Sequence, residues 1–465
     1  MHLLCINGTN FAARNNLDQN MIKIHCYFLT VVVLLSACES KVTPNELESF
    51  VRQDDYNYHL SSLKSAVLHS VSIGPSGFVW PTGIRKKDTA LLEFQLNGAE
   101  GSYPAIRISF EGKTFVQYFE EGGAGIRYID LTPLISANIS EGQFVHLSSE
   151  GAKLTPGQGI LATFDNSINL DDKVLVIAPH PDDAEIAAYG MYRDTKADVV
   201  TITAGDAGGE NFSALWPDPG EQYRAKGRIR TIDSLTVPLL GGLKAEQIRN
   251  LGYYDSTLQL LHEKRPNPVP APLAKLENPA YFRQFNFDAE LRERPFSSSW
   301  PNLVNDLYIE LEKLEPDIVV APHPILDRHR DHQYASLALF EALQSWRHEV
   351  KVLLYTNHAS GNEAFPLGPR EGMMGLPPWN EDNISITGIY SHQLDSEAQR
   401  QKLIALEAMH DLRPLDLRDG SRVEHIDPLY DYFRRGPRPN EIFLVTNLSG
   451  LRAISAEFFR AENLQ

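Results

Sequence analysis

The sequence predicts an α/β protein, a mostly parallel sheet with helical crossovers, preceded by a smaller β-sandwich domain. Three observations predict it. Short alternating strands separated by Gly and Pro turns fill residues 41–168. Beyond Asp171 the pattern changes to apolar strands alternating with helical stretches, the signature of βαβ units. Two of those strands run directly into clusters of His and Asp, at the strand ends where open α/β sheets hold ligands.

The N-terminal residues follow a different logic. Met21 to Cys38 has one Lys, an apolar run from Tyr27 to Leu35, and small residues before a cysteine. Such a run reads as a secretory signal and is too short to span a membrane by itself. Its end, Leu35-Ser36-Ala37-Cys38, resembles the lipobox of bacterial lipoproteins, whose cysteine is acylated. Residues 1–38 are then a leader with its true start at Met21, and Cys38 is the lipidation site. That makes the protein anchored rather than spanning, exported to the bacterial cell envelope on the periplasmic side of either membrane or at the cell surface. All three cysteines (Cys5, Cys26 and Cys38) lie at or before this point. Neither disulfides nor thiolate metal sites are available to the exported part, so a metal must use His and carboxylates. A net charge of −17 argues against nucleic acid as a partner.

In the first domain, Leu91–Leu96, Ala105–Phe110 and Thr114–Phe119 alternate apolar and polar residues, with turns at Asn97-Gly98, Glu111-Gly112 and Gly122–Gly125. Strands this short, at this spacing, suggest a sandwich. Trp80 and Tyr103 read as core or edge residues rather than sugar platforms. The second domain, residues 171–455, opens on strand Val174–Ala178, helix Glu185–Tyr192 and strand Asp198–Thr203, a unit whose crossover is right-handed. Leu303, Leu307, Leu311 and Leu314 recur at helical spacing before strand Asp317–Ala321. Helix Tyr334–Arg347, strand Val350–Tyr355 and a last strand at Glu441–Val445 complete it. Two long irregular segments, Leu258–Trp300 and Ala364–Asn383, read as walls of a substrate groove.

The charged clusters are His180-Pro181-Asp182-Asp183-Ala184-Glu185 and His323 to His332, the latter ending Asp327-Arg328-His329-Arg330-Asp331-His332. Alone, the first could be a turn in which Asp183 caps the following helix. Two such clusters at corresponding strand ends instead suit a catalytic metal, which takes three His or carboxylate ligands and a water, with a free carboxylate beside it as base.

Together these motifs resemble the PIG-L/LmbE family of zinc-dependent N-deacetylases, from about Asp172 to Val445. Ala178 to Glu185 resembles the family's first signature, and Asp327 to His332 its second, with Arg330 where proline is usual. The resemblance implies a Rossmann-like fold and one Zn2+ per chain held by His180, Asp183 and His332, a His and Asp set that other divalent ions can also occupy. It implies Asp182 as general base, and His329 as the group that stabilises the oxyanion or protonates the leaving amine. Gly205 to Glu210 is similar to a glycine-containing active-site loop, and Leu251-Gly252-Tyr253-Tyr254-Asp255 to a Leu-Gly-x-x-Asp segment. From these come candidate substrate contacts: Asp255, Arg230 (favoured over Arg224 and Arg228) and His410, which stands where a His-Ser-Gln element is frequent. Ala187-Ala188-Tyr189-Gly190 departs from the family's Gly-Gly pair, so the sugar pocket differs in shape. The implied activity is removal of acetyl groups from N-acetylated amino sugars of the N-acetylglucosamine type, in an envelope or exported polysaccharide. The alternatives are an inactive carbohydrate-binding or scaffolding lipoprotein, or a deacylase of another amide. A glycosidase is disfavoured because the adjacent Asp182 and Asp183 cannot readily flank a sugar from opposite faces.

Overall fold

In a computed structural model of the chain, the structure describes residues 54–86, 88–165, 168–169, 171–208, 215–359, 365–380, 384–412 and 436–462. The leader, Met21 and Cys38 lie outside the described residues, as do Gly209, Glu210 and Arg413.

Residues 66–165 form two antiparallel sheets. One joins β1 (Ala66–Ile73), β9 (Gly157–Asp165), β3 (Asp88–Gly98) and β6 (Ala124–Asp130) in that order, with β8 (Ala152–Leu154) also on β3. The other runs β2 (Gly77–Val79), β7 (Phe144–Glu150), β4 (Ala105–Phe110), β5 (Lys113–Tyr118). Alternation is what the pleat requires of strands with one buried face. In β4, Ile106, Ile108 and Phe110 are buried while Arg107 is exposed. Trp80 lies in the core of these sheets beside Phe78 and Ile108.

The third sheet has seven strands in the order β12 (Ile248–Tyr253), β11 (Lys196–Thr203), β10 (Lys173–Ala178), β13 (Ile318–Pro322), β14 (Lys351–Tyr355), β16 (Asn440–Thr446), β15 (Gly388–Gln393). From β12 to β14 the pairing is parallel, whereas β16 pairs antiparallel with both β14 and β15. The sheet is therefore mixed. The parallel strands are buried on both faces, which explains their unbroken Val, Leu, Ile and Ala runs.

Strand order reverses between β10 and β13. From β10 the chain moves outward through β11 to β12, then returns to lay β13 on the other side. Such a switch point leaves a crevice at the carboxyl ends of the two strands. Helix α2 (Asp183–Asp194) leaves β10 there, and helix α7 (Arg330–Ser345) follows β13. Among the other helices, α3 (Pro219–Thr236) starts where Asp218 accepts the Glu221 N–H and proline takes the first turn. Helix α6 (Trp300–Leu314) buries Leu303, Leu307 and Leu311 along one face and stops at Glu315 in the left-handed region. Helices α1 (Thr132–Ser136), α4 (Leu258–Lys264) and α5 (Ala289–Glu293) are short, and helix α8 (Ser396–Ala408) and helix α9 (Leu448–Glu462) flank the antiparallel end of the sheet in sequence.

One hydrophobic cluster spans the N-terminal sheets and the seven-stranded sheet: Tyr58, Leu91, Tyr128 and Phe164 share it with Ile177, Ile389 and Leu444. The segment 365–380 is no free loop. Met373 is buried in the core of the N-terminal sheets and its N–H donates to Val116 O of β5 at 2.7 Å. No helix among the described residues is long and apolar enough to cross a membrane.

Candidate metal centre

The crevice between β10 and β13 gathers the two motifs. Two residues past β10, His180 starts a tight turn in which its N–H donates to Asp183 Oδ2 at 2.9 Å. Asp182 occupies the N-cap position of α2 with φ of 110°, and its side chain makes no capping bond. Asp183, the first helical residue, does not cap the helix either. Its carboxylate points back toward two imidazoles. A non-glycine residue at this φ costs on the order of 1–3 kcal/mol, and such strain persists where surrounding structure fixes it.

Three atoms converge. His180 Nδ1 lies 3.2 Å from His332 Nε2 and 3.3 Å from Asp183 Oδ2, and His332 Nε2 lies 3.0 Å from the same oxygen. Ligands at zinc distances in a tetrahedron stand about 3.3–3.5 Å apart, so this nitrogen–nitrogen–oxygen set fits a small divalent ion. Ligand atoms of His180, His329 and His332 also lie within 4.8 Å of one another, as do those of Asp183, His332 and His358. The tighter set is the better cage.

Both histidines are held from behind. His332 Nδ1 meets Asp327 Oδ2 at 3.0 Å, and His180 Nε2 meets Asp331 Oδ2 at 3.2 Å and Asp255 Oδ1 at 3.4 Å. Carboxylates behind metal-ligating imidazoles fix ring orientation and raise basicity. Asn357, just past β14, donates from Nδ2 to Asp183 Oδ1 at 2.8 Å, which leaves Oδ2 facing the histidines. Burial by itself would lower the His332 imidazole, but Asp183 and Asp327 outweigh it and hold it up at about 10. His180 is likewise raised, by Asp255, Asp183 and Asp331 against burial. Asp183 falls well below the usual carboxylate range, because His332 and His180 overcome the opposite push of burial. The same negative field that holds protons on both rings favours a divalent cation, whose binding would release them.

Asp182 behaves differently. Burial pushes its carboxyl up to about 7, against the pull of Arg230, whose Nη2 donates to Oδ2 at 2.9 Å. His329 is lowered by burial and then by the charges of His180, His332 and His358, so it is neutral, and its buried Nδ1 has no hydrogen-bond partner. Its ring centre is 4.7 Å from that of His180 and 4.9 Å from that of His332.

Residues 175–343 match the family model described as PIG-L, GlcNAc-PI de-N-acetylase. The chain carries a PIG-L domain there. Three solved structures are similar to the chain at low identity. The N,N'-diacetylchitobiose deacetylase of Pyrococcus horikoshii, complexed with its inhibitor, is 18% identical over 60% of this chain and 85% of its own, with a TM-score of 0.35. The antimicrobial reagent A40926 pseudoaglycone deacetylase Dbv21 is 16% identical over 60% of this chain and 99% of its own, with a TM-score of 0.35. The zinc-inhibited form of teicoplanin deacetylase Orf2 is 17% identical over 59% of this chain and 98% of its own, with a TM-score of 0.33. No curated protein matches the chain.

The PIG-L domain brings His180, Asp182, Asp183, His329 and His332 into one crevice. The candidate substrate contacts are placed differently. Arg230 is buried and engaged: besides Asp182 it donates to Pro181 O at 2.7 Å and faces Asp411 Oδ2 at 3.2 Å. Gly205, at φ of 65°, makes room for this guanidinium, since a Cβ there would stand 2.5 Å from Nη1. Asp255 faces the back of His180 and Arg230. His410 is half exposed and its Nδ1 meets Asp233 at 2.8 Å, while its neighbour Asp411 reaches Arg230. Sequence reasoning missed Asp327 and Asp331 as supports, and Asn357 and His358 altogether. The signal for the first two was present, since each ligating His wants a carboxylate behind it. The signal for the last two was their position just past a third parallel strand end.

Proposed function

We propose that the chain is a metal-dependent amide hydrolase that removes acetyl groups from N-acetylated amino sugars. The carrying observation is the convergence of His180 Nδ1, Asp183 Oδ2 and His332 Nε2, with a carboxylate behind each imidazole and Asp182 beside them. A divalent ion held by these residues, zinc by the donor set, would polarise the amide carbonyl and acidify water.

The chain's own residues divide the rest. Asp182 takes the proton from the attacking water, and Arg230 keeps its carboxylate ionised and aimed. His329 offers its neutral imidazole N–H to the oxyanion as a hydrogen-bond donor, and the proton that Asp182 takes from the water passes on to the leaving nitrogen. Asn357 and Asp327 hold Asp183 and His332 in place.

In this reading the substrate is an envelope or exported polysaccharide, reached by a protein anchored through lipid at Cys38. The PIG-L domain supports the reaction class, and the anchor rests on the Leu35–Cys38 sequence alone. The test is acetate release from N-acetylated polysaccharides and chitooligosaccharides, with and without chelator. Purified protein without stoichiometric metal, or release that survives chelation, would overturn the proposal.

A further inference from the structure

An open cleft lies in the N-terminal sheets, between the chain leaving β2 and the chain leaving α1, and none of its residues belongs to the metal centre. Its floor is apolar, made of Trp80, Ile84, Ile135 and Ile139. Trp80 is only 3% exposed, so it supplies a base to the cleft rather than a protruding platform. The rim is polar, made of exposed Arg85, Lys86, Asn138 and Ser140. The free volume is about 190 Å³. A cavity of about 150 Å³ takes one benzene ring, so this one takes a single six-membered ring with a substituent.

Both walls are built by the protein itself. Arg85 N–H donates to Asp88 Oδ2 at 2.9 Å, and its guanidinium spans Asp88 and Asp165 at 2.9 and 3.1 Å. In the other wall α1 ends in a paired cap, with Ile139 N–H on Leu134 O at 3.1 Å and Asn138 N–H on Ile135 O at 2.9 Å. Asn138 holds φ of 62° there, a left-handed conformation that asparagine tolerates better than most residues. Ser140 N–H is fixed by Gln143 Oε1 at 2.6 Å.

The charge of the cleft runs against that of the chain. No carboxylate lines it, although the chain carries −17. Arg85-Lys86-Lys87 is the only run of three Lys or Arg in the sequence. Asp88 and Asp165 neutralise Arg85, whereas Lys86 forms no ion pair among the described residues. One uncompensated cation therefore stands over an apolar floor, with an amide and a hydroxyl beside it. A few placed polar groups around an apolar base are the usual build of a small-ligand site.

We propose that this cleft binds one uronic acid residue of an acidic polysaccharide, its carboxylate at Lys86 and its ring on the apolar floor. Asn138 and Ser140 serve the hydroxyl groups of such a ring, which an aromatic acid lacks. The assignment is independent of the amide-hydrolase reading.

The experiment is a ligand-detected NMR titration of the full-length protein with methyl β-D-glucuronide, methyl β-D-glucoside and benzoate. The glucuronide should bind about fivefold or more tighter than the glucoside, the scale of one charge-assisted contact at a partly open site, and should weaken with added salt. Lys86→Gln should bring the two glycosides within about twofold of each other. Ser140→Trp fills the cleft and should abolish glucuronide binding. No glucuronide binding by the wild-type protein, or equal binding of the two glycosides, overturns the proposal. Benzoate binding as tight as the glucuronide's overturns the sugar assignment. Glucuronide binding that survives both substitutions lies elsewhere, at the metal centre for instance, and overturns the cleft.

Discussion

A carboxylate that accepts a proton near neutral pH needs burial to raise it and a cation to keep it in hand. Asp182 has both, with its pKa at about 7 and Arg230 at 2.9 Å. Asp182→Asn should lower acetate release by at least about a hundredfold, the usual range for a general base, with metal content unchanged on elemental analysis. Arg230 favours the charged carboxylate, so removing it raises the Asp182 pKa further. Arg230→Met should therefore move the acid limb of the kcat/KM profile to higher pH, because the base stays protonated over a wider range. A limb that stays put or moves down would exclude Arg230 as the group that tunes Asp182. Behind the metal ligands, Asp327→Asn keeps the shape but loses the charge facing His332 Nδ1, and should weaken metal affinity about 10- to 100-fold by competition titration.

At the scale of elements, α2 shows how the centre is carried. The helix breaks at Ala188, where φ is −141°. Glu441 of β16 accepts the freed Gly190 and Met191 N–H groups at 2.9 and 3.1 Å, while Lys402 of α8 donates to Ile186 O at 2.9 Å and to Glu441 at 2.7 Å. This buried pair splices the break and sets the direction of the turn bearing Asp183. Lys402→Met strands a buried carboxylate and should cost about 3–5 kcal/mol in denaturant unfolding, with part recovered by adding Glu441→Gln. The strands were legible in sequence because burial on both faces leaves runs such as Val174–Ala178 and Ile318–Ala321. Helix α3 and strands β12 and β15 were not. Buried Lys226, Arg230 and Asp233 in α3, and half-buried Arg249 and buried Asn250 in β12, blur the apolar period, since their burial is balanced by partners far away in sequence. The motif residues of the centre were legible for the opposite reason: His180, Asp182 and Asp183 sit where a buried strand gains nothing from charge. Two of their supports, Asp255 and Asn357, come from other strand ends, whose packing against the motifs no local pattern reveals.

For the whole molecule, the sequence divides the chain at about residue 170, but the packing crosses that line. The shared core joins Tyr58, Leu91 and Phe164 to Ile177 and Leu444. Polar groups cross with it: Ser391 N donates to Thr89 Oγ1 at 2.9 Å, and Asn440 Nδ2 to Asp130 Oδ2 at 2.9 Å. Asp130 is fully buried, and burial raises its carboxyl against four hydrogen-bond contributions from Ser391, Thr132 and Asn440. Cutting the chain between the sheets would expose the apolar surface and leave these polar groups without partners, two costs that act together. Residues 54–462 should therefore unfold in a single cooperative transition by calorimetry, with the calorimetric and van't Hoff enthalpies in agreement. A fragment starting at residue 171 should aggregate, because it loses one face of a core that Ile389 and Leu444 cannot cover alone. Two separate transitions, or a soluble and cooperatively folded fragment, would show instead that the N-terminal sheets are an independent module.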